Sequence, residues 1–397
     1  MVKVFQVGGS VRDEILGSAP KDRDYVVVNG SEKELIKAGY KRVGKNFPVF
    51  LHPTTKEEYA LARTEKKEGL GHRGFSTDTS KGITLEEDLA RRDFTINAIA
   101  KDSTGTIFDP FGGLQDIERK TLRHITDAFR EDPLRVLRGA RFSATLGFKI
   151  AEETQILMLD MVKSGELKSL PVERIERELR LAIAGHRPHY FFETLKKCKA
   201  IPQLLPELDL PQLYNSDDPI FQALKHFEGQ GRMAEERFIV FLSRAGNYGL
   251  QKNGKKTQIE TLIKRLKLNR RTAETYTMYR DFNQKIMNYA SLGEQDVLRL
   301  FEEMDTFRRP EKLTRLLKIL RYIIEPAMSS NHVKKLTSFF MEALSETSKL
   351  SARTFFTNEE IARTDYSTIS QTLRVEREKK IRETIIKNRI GLKSVDE

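Results

Sequence analysis

The sequence predicts an α+β fold in which a mixed head is followed by an all-helical remainder. Residues 1–125 hold most of the glycines and nearly all of the β-like segments. From about Asp127 onward, apolar residues recur at spacings of three and four, the period of helices that bury one face. Pro202, Pro206 and Pro211, followed by the turn at 215–219, mark a subdomain boundary.

Taken in order, the elements read as follows. Val7-Gly8-Gly9-Ser10-Val11-Arg12-Asp13 is a glycine turn ahead of an Arg-bearing helix. Asp24-Tyr-Val-Val-Val28 is a short buried strand, and residues 48–52 and 57–63 are two more. Thr84-Leu-Glu-Glu87 is a capping box and opens a helix expected to run through Ala98. Residues 98–101 and 106–109 flank Ser103-Thr-Gly105, a hairpin signal. Helices are then expected around 134–146, 154–161, 175–183, 191–198 and 297–301, and residues 374–393 read as a solvated helix face.

The chain has 397 residues, enough for several domains. It carries 69 Lys and Arg against 57 Asp and Glu, a surplus of 12 that favours a polyanionic partner. Cys198 is the single cysteine, which excludes an intrachain disulfide framework and a Cys-rich zinc site. The seven histidines form no HExxH. No stretch approaches the ~20 apolar residues of a membrane span. The first residues lack the apolar core of a signal peptide, so a cytoplasmic location is expected.

Paired glycines before a helix let backbone N–H groups approach a phosphate, which makes Gly9 and Arg12 candidates. The spacing matches neither GxGxxG nor GxxxxGK[ST]. Asp22 and Asp24 stand two apart at a strand start, so both carboxylates share one face. Such a pair repels itself unless a cation intervenes, and Mg²⁺ is the usual one in phosphoryl transfer. Glu58 is a candidate third acid, on one face with Ala60 and Ala62. Arg91 and Arg92 beside that site can hold a triphosphate; Asp93 and Asn97 lie one helical turn apart. Asp132 reads as an N-cap and Pro133 as the first helical residue. Arg135, Arg138 and Arg141 then follow at every third position, so their stripe winds around the helix. Residues 251–271 hold eight cations against one acid, a candidate phosphate-binding surface.

GGSVRD, KDRDYVVV, RRDFTINAIA, DPFGGLQD and EDPLRVLRGARF occur in this order. The set resembles the class II CCA-adding enzymes, the tRNA nucleotidyltransferases, over about residues 4–180. The resemblance implies a polymerase-β-like head (1–140), a helical neck (141–205), a body (206–330) and a tail (331–397). It implies template-independent addition of C, C and A to the tRNA 3′ end from CTP and ATP. By match, Asp22 and Asp24 would hold Mg²⁺. Gly9, Arg12, Arg92, Arg138 and Arg141, with Asp93 and Asn97, would contact the nucleotide, and Asp132 and Arg135 would pair with the base edge. The loop 63–75 matches a segment implicated in the switch from C to A, and residues 171–178 a neck helix that shapes the pocket. Lys255, Lys256, Lys264 and Arg265 are the candidate tRNA contacts.

Many relatives carry a C-terminal phosphohydrolase domain with a His-Asp pair. Here Ser243 and Arg244 stand in those places, so that activity is not expected. The rival readings are a bacterial poly(A) polymerase, an enzyme that adds only CC or only A, and an RNA-binding or tRNA-folding protein with a relic head.

Overall fold

The computed structural model describes residues 2–20, 22–44, 48–67, 75–208, 234–253, 258–324 and 329–393. The chain divides into two compact units, residues 1–218 with Lys264–Lys267, and the remainder.

In the first unit the chain runs β1 (Lys3–Val7), α1 (Gly9–Ile15), β2 (Asp24–Val28), α2 (Glu32–Lys37), β3 (Lys41–Val43), β4 (Val49–Leu51) and β5 (Glu58–Leu61). It continues through β6 (Thr64–Lys67), β7 (Phe75–Asp78), α3 (Leu85–Ala90), β8 (Ala100–Lys101) and β9 (Ile107–Phe108). Seven of these strands form one sheet in the order β3-β4-β5-β2-β1-β8-β9. β2 is antiparallel to β1 and parallel to β5, which puts Asp24 opposite Val7 on one side and Glu58 on the other. β1 is absent from the strands expected above. Its apolar residues fall on both faces, because Val4 is exposed while Phe5 and Val7 are buried, so it lacks the clean alternation of a half-buried strand.

Both sheet faces carry a core. On one, Phe5, Val7, Val26, Val28 and Ala100 pack with Leu89 of α3 and Ile83. On the other, Val27, Phe50 and Leu61 pack under Leu35 of α2. Successive valines of β2 therefore serve opposite cores, as the two-residue period dictates.

The capping box forms as expected: Thr84 accepts from the amide of Glu87, and the Glu87 carboxylate accepts from the amide of Thr84. The helix it opens is shorter than expected. α3 ends at Ala90, Phe94 is extended, and a single 3₁₀ turn covers Thr95–Asn97. The Asp93 carboxylate takes the Phe94 amide at 2.9 Å, and such local capture competes with helix continuation.

α4 (Gly113–Glu118), β10 (Thr121–Leu122), α5 (Leu134–Leu146), β11 (Lys149–Ile150), α6 (Glu152–Lys163), α7 (Val172–Ile183) and α8 (His189–Lys197) follow. Asp132 accepts the Leu134 amide at 3.0 Å, the N-capping expected of it. α5 stops where Gly147 turns left-handed at φ 71°. α5 packs on α7 and α8.

The second unit is helical throughout its described residues. Helices Ala234–Asn253, Arg270–Met287 and Glu311–Ile324 pack together. The last helix, Tyr366–Lys393, corrects the expectation of a solvated face. Ile381, Thr384 and Ile385 are buried where it meets helices Glu294–Glu303 and Ser330–Ser348, and only its other faces carry the alternating charges.

Candidate active site

At the end of β1 the chain turns at Gly8, whose φ of 76° and ψ of −139° suit glycine alone. A Cβ there would also lie 2.7 Å from a terminal nitrogen of Arg92. The turn starts α1 and buries Arg12, which donates to Asn97 Oδ1 at 2.6 Å and to Asp13 Oδ1 at 2.7 Å.

Asp24 begins β2 beside this turn. Its carboxyl is raised from the ordinary range, chiefly by loss of surrounding water and also by the charge of Asp22, against the attraction of Arg92. Neither Asp22 nor Asp24 makes a hydrogen bond or ion pair among the described residues. Asp22 precedes β2 and is exposed, so strand alternation does not set its face as expected, and of the two only Asp24 lines the cleft. Two neighbouring carboxylates without such a partner still fit a hard divalent cation. No group of three or more His, Cys, Asp or Glu able to hold a metal occurs among the described residues. Water and a ligand's oxygens would therefore complete the shell. Glu58, expected as a third acid, sits one strand away in register with Asp24 and is exposed, but it does not line the cleft.

The arginines are organised by buried acids. Asp88 is fully buried and accepts from Arg91 at 2.8 Å, Arg92 at 3.3 Å and the Arg63 amide at 3.2 Å. Burial would raise its pKa, but Arg91 and Arg92 overcome that and lower it. Asp93 accepts from Asn97 at 2.9 Å and from Arg138 at 2.6 Å. Burial again opposes ionisation, and Arg138 with Asn97 holds this carboxyl down at about 2. Asp93, Asn97 and Arg12 thus form one buried chain of polar contacts, and Asp93 acts as an anchor for Arg138.

Arg141, by contrast, does not line the cleft. It pairs with buried Glu178 of α7 at 2.5 Å and covers the Phe142 ring at 3.8 Å. That ring also carries Arg12 at 5.2 Å and Arg138 at 5.3 Å from its centroid.

At the far end, Asp132 uses one oxygen for the Leu134 amide and the other for Arg174 of α7 at 3.4 Å. Arg135 donates to the carbonyls of Ala128, at 2.9 Å, and Arg91. These contacts fix the plane of its guanidinium.

The result is a cleft of about 370 Å³. It gathers eight of the nine expected nucleotide contacts, all but Arg141, together with Asp24. Sequence reasoning missed Arg174, Phe142 and the anchoring role of Asp88. Asp88 left a signal in its spacing of three and four from Arg91 and Arg92, and Arg174 lies within the 171–178 segment expected to shape the pocket.

The basic segment is only partly described. Lys255, Lys256 and the glycines of the 63–75 loop lie outside the described residues. Lys264 is exposed. Arg265 is engaged internally: it grips buried Glu207 through two hydrogen bonds of 2.7 Å and the Leu204 carbonyl at 3.0 Å. Ser243 is buried, as are Phe238–Leu242 before it in the same helix, and its hydroxyl has no partner among the described residues.

Comparison with known proteins places these features among relatives. Residues 4–123 match a family described as the poly A polymerase head domain. Residues 147–210 match a probable RNA- and SrmB-binding site of polymerase A. The chain is 42% identical over 339 residues to the multifunctional CCA protein of Shewanella frigidimarina, covering 80% of this chain and 82% of that one. It is 39% identical over 378 residues to the protein of the same name from Legionella pneumophila strain Paris, covering 89% and 92%. In fold it is similar to a CCA-adding enzyme in its apo form II (TM-score 0.67, 22% identity, 98% and 92% covered). It is also similar to the Bacillus stearothermophilus CCA-adding enzyme in complex with CTP (TM-score 0.65, 21% identity, 99% and 95% covered).

Proposed function

This chain belongs to the bacterial CCA-adding enzymes, and on that premise we propose how its cleft completes a tRNA. The protein adds C, C and A to the tRNA 3′ end from CTP and ATP, releasing pyrophosphate. The observation that carries the reading is the cleft itself, where Asp24 stands at one end, Asp132 and Arg135 at the other, and guanidiniums line the space between.

Arg12, Arg92 and Arg138 receive the triphosphate. Their charge is pre-oriented by Asn97, Asp88 and Asp93, so little reorganisation accompanies binding. Asp22 and Asp24 would hold Mg²⁺, whose chemistry there is polarisation of phosphoryl oxygens and of the attacking 3′-hydroxyl. The tRNA hydroxyl attacks the α-phosphate in line with the leaving pyrophosphate, without a covalent enzyme intermediate. Glu58 extends the acidic face beside the pair.

Selection of C and A follows from edge chemistry. Both bases present an amino donor beside a ring-nitrogen acceptor, and U and G present the reverse. Asp132 facing the amino group and Arg135 facing the ring nitrogen therefore accept C and A. For Asp132 this means exchanging Arg174 for the base. A wrong base leaves buried polar groups unpaired, at ~1–3 kcal/mol for each mismatch.

The division of labour we propose is head 1–140, neck 141–205, body 206–330 and tail 331–397. Lys255, Lys256 and Lys264 meet the tRNA backbone, and the charge surplus supports that. No described helix is long and apolar enough to cross a membrane, in keeping with a cytoplasmic enzyme. Ser243 and Arg244 supply no metal ligand where phosphohydrolase relatives have His-Asp, so the proposal excludes that activity.

The test is incubation of labelled tRNA lacking its CCA with Mg²⁺ and CTP, ATP, UTP or GTP, singly and paired. Addition of two C, then one A, supports the reading. Long A tails would instead indicate a poly(A) polymerase, and a stop after CC or a demand for a pre-formed CC end a partial enzyme. No addition would leave only a binding protein.

A further inference from the structure

Arg23 stands in the chain between Asp22 and Asp24. It precedes β2, so strand alternation does not dictate where its side chain goes. A guanidinium there is a ready competitor for the two carboxylates that flank it in the chain, because Arg and carboxylate form a strong forked pair. The structure shows it engaged elsewhere. Arg23 Nε lies 3.4 Å from Glu14 Oε1 of α1, and a terminal nitrogen lies 3.9 Å from Glu57 Oε1, just ahead of β5.

Glu14 is itself tied in place. Its other oxygen pairs with Lys101 of β8, and Gln6 of β1 donates to it at 3.1 Å. Glu57 is held by the Thr55 hydroxyl at 2.8 Å. The cation facing Asp24 is Arg92, whose position is set by Asp88.

We propose that Glu14 and Glu57 form an electrostatic clamp that withholds Arg23 from Asp22 and Asp24, keeping both carboxylates available to a divalent cation. The inference rests on the reading of Asp22 and Asp24 as cation ligands. Glu14 and Glu57 are positioning residues: neither reaches the cleft, and both act through Arg23. Freed of the clamp, Arg23 turns to the aspartates and competes with the metal.

The experiment measures Mn²⁺ binding to the full chain by electron paramagnetic resonance, without nucleotide or turnover. Glu14→Gln with Glu57→Gln keeps side-chain volume and removes the clamp charge. This double variant should bind Mn²⁺ about fivefold more weakly, the scale of two exposed ion pairs. Adding Arg23→Gln should restore binding to within about twofold of the unaltered chain. Arg23→Gln alone should leave binding nearly unchanged, because the clamped side chain is already withheld; an equal tightening in both backgrounds is the simple charge effect and overturns the inference. Unweakened binding in the double variant overturns the inference. So does a loss that the third substitution fails to rescue, since that is the signature of a merely structural role. Asp24→Asn separates the two levels: if it leaves Mn²⁺ binding intact, the carboxylate-pair reading itself falls, and the clamp falls with it.

Discussion

Arg138 and Asp93 meet at 2.6 Å on the floor of the cleft, one from α5 and the other from the break after α3. The pair joins two segments 45 residues apart and sets the direction of a cleft guanidinium before any nucleotide arrives. Its acid is held at about 2, below the ordinary carboxylate value of 3.8. A depressed folded-state pKa contributes stability that is fully present above the unfolded value and is lost as pH falls through the folded one. The Asp93 contribution, about 2 kcal/mol from that shift, should therefore disappear between about pH 4 and pH 2. Urea midpoints across that window should fall less steeply for Asp93→Asn than for the unaltered chain, and parallel curves would contradict the assignment.

Asp24→Ala should abolish nucleotide transfer and leave tRNA affinity within about twofold, since phosphate contacts by Lys and Arg dominate that affinity. Filter binding and single-turnover transfer on one preparation decide the matter. Near-normal transfer would end the two-carboxylate mechanism.

Removing Asp132 and Arg135 together should lower CTP and ATP incorporation sharply and narrow the margin over UTP and GTP. Loss of the cap costs about 1 kcal/mol. The carbonyls of Ala128 and Arg91, left without Arg135, add a penalty of ~1–3 kcal/mol if buried dry. The informative quantity is the ratio of kcat/KM values, because instability alone lowers all four nucleotides alike. A double variant with the original C-over-U preference would place selectivity elsewhere.

Lys264 and Arg265 are sequence neighbours with opposite expectations. Arg265→Ala strands the buried carboxylate of Glu207 and should destabilise the protein by about 3 kcal/mol, read as a lower unfolding midpoint. Lys264→Ala should leave stability unchanged within about 0.5 kcal/mol. If it meets a tRNA phosphate, its loss reduces the log–log salt dependence of binding by about 0.7–0.9. An unaltered slope would make Lys264 a solvated side chain.

Gly8→Ala combines a disallowed backbone with a 2.7 Å approach to Arg92. The expected result is a destabilisation of about 1–3 kcal/mol and a rise in the KM for nucleotide larger than that of an Arg92→Lys control. A KM equal to that of the unaltered chain would show that the Gly8 turn does not set the position of Arg92.

Local periods explain what the sequence made legible. Asp24 and the valines of β2 follow a two-residue alternation, Thr84 and Glu87 a capping rule, and Leu134–Leu146 a helical stripe ended by Gly147. The pairings between acids and arginines were not legible. Asp93 chooses Arg138, Glu178 chooses Arg141 and Asp132 chooses Arg174 because distant segments bring them together. Charge in the sequence names the candidates and leaves the partner open. The break after Ala90 was hidden for a related reason: apolar spacing continues through it, while a single side-chain-to-amide contact at Asp93 diverts the backbone.

Phe142 gives the cleft a property that residue-by-residue hydrophobicity would overlook. Its ring is 5% exposed and would pass for ordinary core filling, yet three guanidiniums gather around it. Each of the three guanidiniums already has its own carboxylate, Asp13, Asp93 or Glu178, and the electron-rich aromatic face adds a shared attraction at their centre. Leucine would fill much of the space and carry none of that polarity. A repacking scheme that conserves volume alone at position 142 would therefore forfeit that attraction while leaving each arginine on its own acid.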